Sequence, residues 1–418
     1  MIRSTRLPSG VRVLTEAMPH VRSASIGIWA DIGSSAEPAA QRGISHLVEH
    51  MVFKGTGRRS AREIAETMDG IGGNLNAFTD KETTCYYAHV MDRHVPLAID
   101  VLGDMFVHSR FDPEELRKEQ AVVLEEIRMY DDAPDDVIHD RFARTMWAGS
   151  ALGEPTIGYA ETVTALTSDD LRGWMAQRYA PPTVLVTAAG NIDHDRFVEC
   201  VAGAFSALRG SAESPAGERP PITPGIDVVM RDTEQAYVML GAPGLSLRHP
   251  DRYALAVLDT ILGGGMSSRL FQEVREKRGL AYTVYSFEQS YREAGIFGVY
   301  AGCAPDRAQE CIDVIVAELD AALDGVTDAE VALAREQLKG SLILGLESTA
   351  SRMMRLGRNE FVYGRQIPTE EVEAAVDAVD RAAVERIART VLAPEQRGLC
   401  VLGPLDGADI RFAAPHAV

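Results

Sequence analysis

The chain has 418 residues, a length that favours two domains over one, since domains typically contain ~100–200 residues. It carries 61 acidic and 42 basic residues, a formal net charge of −19. This acidity argues against nucleic acid or an anionic membrane as the main partner because both attract basic surfaces, and it leaves basic peptides open. The composition, 46% hydrophobic and 25% charged, excludes a disordered or fibrous chain.

The first twenty residues have neither the apolar core nor the small-residue cleavage site of a secretory signal. No apolar run approaches the ~18 residues that a membrane span needs. The five cysteines are scattered and form no CxxC pair, which argues against a disulfide framework or a thiolate zinc site. The sequence therefore predicts a reducing, cytoplasmic compartment.

The first half of the chain begins with strands and continues with helices. Residues 11–15 and 24–31 show the alternation of half-buried strands, and the β-branched and aromatic residues 83–90 predict a third strand. Asp112, followed by Pro113 and two glutamates, predicts a helix over 113–130. A closing strand ends near residue 190.

An internal repeat organises the chain. Residues 210–225 combine Pro, Gly, Ser and charge without periodicity, as a linker does. Several segments before it match segments after it at a shift of about 213 residues, for example 98–102 with 311–315. The sequence predicts two homologous α+β domains, residues 1–209 and 226–418, each an antiparallel-rich mixed sheet with helices packed on one face.

The segment HLVEH at residues 46–50 carries the sharpest chemical signal. On a helix, His46 and His50 project from one face, one turn apart, so both imidazoles can bind one zinc ion. Glu49 lies near enough to accept a proton from a zinc-bound water. The alternative is a chance spacing of ordinary surface or core histidines.

A catalytic zinc site needs a third protein ligand and an open position. Four glutamates of the predicted acidic helix are candidates: Glu115, Glu119, Glu125 and Glu126. Glu119 and Glu126 are seven residues apart and share a helix face. A solvated acidic face is the alternative interpretation of the same pattern.

Four stretches together resemble the inverzincin metallopeptidases of the pitrilysin and insulin-degrading type, and most closely the bacterial relatives of the mitochondrial processing peptidase β-subunit. They are HLVEH at 46–50, MVFKGT at 51–56, GGNLNAFTDKETTCYYA at 72–88 and VVLEEIRMYDD at 122–132. The resemblance implies a zinc metalloendopeptidase with one Zn²⁺ per chain. It implies His46, His50 and Glu126 as zinc ligands, Glu49 as general base and Glu119 as an acid supporting the site.

The same resemblance assigns residues that contact the substrate. Arg275 and Tyr282, in GGGMSSRLFQEVREKRGLAYTVYS at 263–286, match a pair that approaches the scissile carbonyl. From the residues alone, they would be a helix-surface charge and a strand aromatic. The residues expected at or beside an edge strand that pairs with an extended peptide are Asn76, Ala77, Phe78 and Glu82.

The second copy differs from the first at the metal position. Shifting HLVEH by the repeat leads to residues 257–262, an apolar helix without ligands, so the second domain is expected to hold no metal. In the family, four such domains form a clamshell around a chamber, and this chain has two. The resemblance therefore implies half a clamshell and a homodimer in which Arg275 and Tyr282 act on the partner chain's zinc site. The alternative function is a non-catalytic scaffold or partner subunit of a larger complex.

Overall fold

The computed structural model describes residues 1–215, 219–405 and 410–412. The elements of the first half are β1 (Ile2–Arg6), β2 (Arg12–Ala17), β3 (Ser23–Ala30), α1 (Ile44–Val52), α2 (Ala61–Asp69), β4 (Asn74–Thr79), β5 (Thr84–Met91), α3 (Val95–His108), α4 (Pro113–Asp132), α5 (Pro134–Met146), α6 (Ala160–Ala165), α7 (Ser168–Arg178), β6 (Val184–Gly190) and α8 (His194–Ala204). Those of the second half are β7 (Ile226–Met230), β8 (Ala236–Pro243), α9 (Arg252–Gly263), β9 (Ala281–Ser290), β10 (Gly295–Cys303), α10 (Ala308–Asp324), α11 (Asp328–Gly345), α12 (Thr349–Tyr363), α13 (Thr369–Asp377), α14 (Arg381–Val391) and β11 (Gly398–Gly403).

The strands form two sheets with one shared topology. The first sheet has the order β1-β2-β6-β3-β5-β4 and the second β7-β11-β8-β10-β9. If β1 at the edge of the first sheet is left aside, each sheet has five strands. When these five are numbered along the chain within their own sheet, they lie side by side in the order first, fifth, second, fourth, third. Each contains one parallel pair, β2 with β6 and β7 with β11, and its other pairs are antiparallel. This confirms two homologous α+β domains with antiparallel-rich mixed sheets.

Helices from the same half of the chain pack on one face of each sheet, as predicted. In the first sheet, Ile26 and Ile28 of β3 point into a core shared with α1, α3 and α8. In the second sheet, the corresponding core is shared with α9, α10 and α14. The predicted helix over 113–130 is α4, which continues to Asp132.

The opposite face of each sheet is also apolar, and a helix from the other half of the chain covers it. Trp29 packs with Met353 and Phe361 of α12. On the second sheet, α5 supplies Ile138 and Phe142. A sheet that is apolar on both faces needs a layer on each. The prediction of helices on one face did not include this second layer.

The compact units differ from the two sequence halves by this exchange of helices. They are Met1–Arg128 with Pro155–Ala216 and Gly345–Gln366, and Met129–Glu154 with Gly217–Leu344 and Ile367–Val418. Residues 216–218 of the predicted linker, 210–225, lie outside the described residues. All five cysteines are described and are free thiols. In the part of the chain that the structure describes, no helix is both long and apolar enough to cross a membrane.

The contact between α12 and Trp29 depends on a glycine. A Cβ on Gly357 would lie 2.4 Å from the Trp29 indole. Although alanine is favoured over glycine in a helix by about 1 kcal/mol, overpacking a core costs about 1–3 kcal/mol. We expect Gly357→Ala to lower the free energy of unfolding measured in urea, by up to about 2 kcal/mol after the helix preference is subtracted.

Gly340 of α11 is the matched control, because a Cβ there meets no atom within 4 Å. Gly340→Ala should leave the stability unchanged or raise it by up to about 1 kcal/mol. Equal stability changes in the two variants would contradict the close packing of α12 on Trp29.

Candidate metal centre

Helix α1 has a buried apolar side and a polar side. Ile44, Leu47, Val48 and Met51 are buried in the core of the first sheet. His46, Glu49 and His50 lie on the remaining surface and are only partly buried. The core therefore fixes the rotation of the helix about its axis, and this rotation presents the three polar side chains together.

The start of α1 is held by Glu37, a residue that the sequence analysis missed. Its carboxylate accepts the main-chain N–H groups of Gly43 and Ser45, both at 2.8 Å. Glu37 is 4% exposed, and this burial raises its pKa although the N–H donors act in the opposite direction. It satisfies N–H groups that have no partner within the helix. A glutamate seven residues before the helix matches no local capping pattern, so the sequence held no signal for it.

Three donor groups come together between α1 and α4. Donor atoms of His46, His50 and Glu126 all lie within 4.8 Å of one another. The Nε2 atoms of His46 and His50 are 3.8 and 3.6 Å from Glu126 Oε2. These distances are long for hydrogen bonds, but two ligands of one tetrahedral zinc ion lie about 3.3 Å apart. Among the described residues, this is the one group of three or more His, Cys, Asp or Glu found in such an arrangement.

The donor set has the chemistry that zinc prefers. Two imidazoles and one carboxylate match a catalytic zinc site with a position left for water. Burial, with a smaller contribution from His50, lowers the pKa of His46 to about 3. The imidazole is therefore neutral near pH 7, and this is the form that binds metals.

Glu119 supports the cluster from behind. Its Oε2 lies 3.2 Å from His50 Nδ1, and its Oε1 lies 2.7 Å from Lys54 Nζ. Burial acts to raise the pKa of Glu119, but the hydrogen bonds from His50 and Lys54 outweigh it and lower the pKa. A carboxylate on Nδ1 keeps the proton there and leaves the Nε2 lone pair free for a metal. Lys54 was not among the predicted residues.

Glu49 lies beside the cluster and is anchored to the first sheet. Thr79 Oγ1, at the end of β4, donates a hydrogen bond of 2.6 Å to Glu49 Oε2. Burial raises the pKa of Glu49, while the hydrogen bond from Thr79 acts to lower it. A partly desolvated carboxylate at this position is suited to accept a proton.

The other two candidate glutamates of α4 form ion pairs within that helix. Glu125 is exposed and forms an ion pair with Arg128. Glu115 forms an ion pair with Lys118 at 2.6 Å. The structure thus brings Glu119 and Glu126, which share a helix face, to the histidines.

The residues expected to contact a substrate strand lie at one edge of the first sheet. β4 pairs only with β5 among the described strands. Asn76 is exposed, and its Oδ1 accepts the main-chain N–H of Ala77 at 2.8 Å. Phe78 packs edge-on against Trp29. Glu82 lies in the turn after β4, where its N–H donates to Asp80 Oδ1.

Arg275 and Tyr282 lie together in the second unit. Arg275 belongs to a turn of π-helix, Phe271–Glu276, and its Cζ lies 4.5 Å from the centre of the Tyr282 ring. Tyr282 is 76% exposed. In α9, the counterpart of α1 in the order of elements, no histidine is present.

Comparison with known proteins identifies the family. Residues 12–159 match the family described as "Insulinase (Peptidase family M16)", and residues 165–338 match "Peptidase M16 inactive domain". The chain belongs to the M16 peptidase family. This confirms the resemblance inferred from the motifs.

Similar proteins match nearly the whole chain. A Streptomyces coelicolor protein named "Uncharacterized zinc protease" is 46% identical over 97% of this chain and 90% of its own length. A Bacillus subtilis protein of the same description is 44% identical over 97% of this chain and 98% of its own length. An Arabidopsis thaliana protein named "Probable mitochondrial-processing peptidase subunit beta" is 34% identical over 96% of this chain and 78% of its own length. The crystal structure of a Helicobacter pylori protease has the same fold, with a TM-score of 0.91 and a sequence identity of 23%. The match covers 97% of this chain and 99% of that protease.

The anchoring of α1 by Glu37 can be measured. Glu37→Ala removes the acceptor of two buried N–H groups, and we expect it to lower the free energy of unfolding by about 2–3 kcal/mol. Urea unfolding measures this change. Glu63→Ala is the matched control, because Glu63 accepts an N–H group at the exposed start of α2 and its loss should be smaller. An equal loss in both variants would contradict a special role for Glu37.

Proposed function

We propose that the chain is a zinc-dependent endopeptidase that hydrolyses peptides or unfolded segments. The observation that carries this proposal is the convergence of His46, His50 and Glu126 within 4.8 Å, with Glu49 on the same helix as the histidines. The names of similar proteins, which call them zinc proteases, support zinc as the metal. The presence of one such cluster among the described residues supports the proposal of one ion per chain.

The chemistry is metal-assisted hydrolysis. Zinc held by the two histidines and Glu126 would supply a Lewis acid that lowers the pKa of water from ~15.7 towards ~7. Glu49 accepts a proton from the attacking water while the water oxygen forms a bond to the scissile carbonyl carbon. When the C–N bond breaks, Glu49 returns the proton to the leaving amine. Glu119 keeps the His50 proton on Nδ1 throughout.

The free edge of β4 is the proposed substrate site. The Asp80 N–H donates to the Thr83 carbonyl, and the β4–β5 register continues from this pair. Because bonded pairs alternate along an antiparallel ladder, the main chain of Ala77 faces away from β5. An extended peptide would displace the Asn76 side chain from the Ala77 N–H and pair there, with Phe78 and Glu82 beside it. The net charge of −19 supports a preference for basic peptides.

A homodimer with a shared chamber is the proposed active form, resembling processing peptidases. Arg275 and Tyr282 of one chain would donate hydrogen bonds to the developing oxyanion at the zinc site of the partner chain. The exposure of Tyr282 beside a guanidinium supports this role. The scattered free thiols support a reducing, cytoplasmic compartment.

Zinc content and turnover test the proposal together. We expect the wild type to bind one zinc per chain and to cleave unstructured peptides in a chelator-sensitive reaction. Glu126→Gln should lose zinc and activity, whereas Glu49→Gln should keep zinc and lose at least about 100-fold in kcat because the proton acceptor is gone. Elemental analysis and a fluorogenic peptide assay measure both.

Glu125→Gln is the matched control, because it changes the neighbouring but outward-facing carboxylate and should behave as the wild type. Full activity in Glu49→Gln would contradict the role of the base. A wild type without zinc and without cleavage would instead favour the alternative, a non-catalytic scaffold or partner subunit.

Mixing two inactive variants tests the shared site. Glu49→Gln chains lack the base, and Tyr282→Phe chains lack the phenol donor. In mixed dimers, one of the two sites would combine an intact base with an intact Tyr282 from the partner. We expect the mixture to regain up to about a quarter of wild-type kcat if chains exchange freely, since half of the dimers are mixed and each has one complete site. Activity no higher than that of either parent would count against the shared site.

A further inference from the structure

We infer that Thr79 is a positioning residue that orients the general base Glu49. This inference rests on the proposed peptidase function. Thr79 is the last residue of β4, so the strand proposed to pair with the substrate also anchors the base. No local pattern in the sequence singles out Thr79.

The hydroxyl of Thr79 is committed to Glu49. Its Oγ1 lies 2.6 Å from Glu49 Oε2, and its other neighbour, Thr84 Oγ1, lies 3.4 Å away. The Thr84 hydroxyl donates its own hydrogen to the Ile32 carbonyl at 3.1 Å. Because Glu49 needs a donor when ionised and a hydroxyl has one hydrogen, the Thr79 hydrogen points to the carboxylate.

The position of Thr79 is fixed by the main chain around it. On one side, β4 pairs with β5, with Thr79 opposite Thr84. Directly after Thr79, the carbonyl groups of Asp80 and Lys81 accept N–H groups of Ser34 and Ser35, at 3.0 and 2.9 Å. A Cβ on Gly33 would lie 2.4 Å from the Asp80 carbonyl oxygen, so this approach is closely packed. The hydroxyl is thus held by a rigid frame.

The hydrogen bond from Thr79 to one carboxylate oxygen of Glu49 fixes the orientation of the other oxygen. Glu49 has three side-chain torsions, and without a partner its carboxylate samples several rotamers. The bond to Oε2 selects one of them and leaves Oε1 free to accept the proton of the attacking water. Thr79 lies two residues after Ala77, so its main chain faces the same free edge. A peptide paired on β4 and the base are then held in register by the same strand.

Replacement of the hydroxyl by a methyl group tests the inference. Thr79→Val keeps the shape of the side chain and removes the donor, whereas Thr79→Ser keeps the donor. We expect Thr79→Val to lower kcat about 10–100-fold with KM and zinc content unchanged, as for other residues that orient a metal-site group. Thr79→Ser should stay within about threefold of wild-type kcat. Thr67→Val is the control, since the Thr67 hydroxyl bonds only to a main-chain carbonyl of α2.

A second readout does not depend on turnover. A crystal structure of metal-free Thr79→Val should show the Glu49 carboxylate in a different rotamer or in several, and that of Thr79→Ser should show it unchanged. Wild-type kcat in Thr79→Val, equal losses in the Val and Ser variants, or loss of zinc from the Val variant would each overturn the inference. If the wild type itself lacks zinc and activity, the proposed function fails first and the catalytic role of Thr79 fails with it.

Discussion

The meeting of three donor atoms from α1 and α4 within 4.8 Å is the constraint on which the rest of the site depends. It requires α1 to be fixed in position, rotation and tilt. Glu37 holds the start of the helix, the apolar core fixes its rotation, and Lys54, just beyond its end, is bonded to Glu119 of α4. Each contact restrains a different movement of α1. Together they form a preorganised site in which few groups need to move when a metal binds.

The two sheets share a strand order, but the side chains at equivalent places in the two copies differ. β4 and β9 occupy the same place at the sheet edge, and α1 and α9 follow the same pair of strands in the repeat. One copy carries His46 and Glu49, and the other carries an apolar helix in their place. A common frame therefore supports a cluster of three candidate metal ligands in one copy and the Arg275–Tyr282 pair in the other. Fold alone does not determine function, because function depends on the side chains placed on it.

Local periodic patterns predicted much of this molecule, and contacts distant in sequence escaped prediction. Helical spacing placed His46 and His50 on one face, and the cap before Pro113 located α4. Spacing also separated Glu126 from its neighbour Glu125, but only the family resemblance selected Glu126 as a ligand. Glu37 and Thr79 act through contacts to groups six to thirty residues away. Such contacts leave no periodic signal in the sequence. The second helical layer escaped prediction for the same reason.

The exchange of α12 and α5 links the folding of the two halves of the chain. The face of the first sheet around Trp29 is completed only when residues 349–363 have been synthesised, long after the strands of that sheet. During translation, the first sheet therefore has an uncovered apolar face until α12 is synthesised. Helix α5, in turn, is synthesised before the strands of the second sheet that it covers. Dividing the chain between its two halves would therefore leave each sheet with one uncovered apolar face.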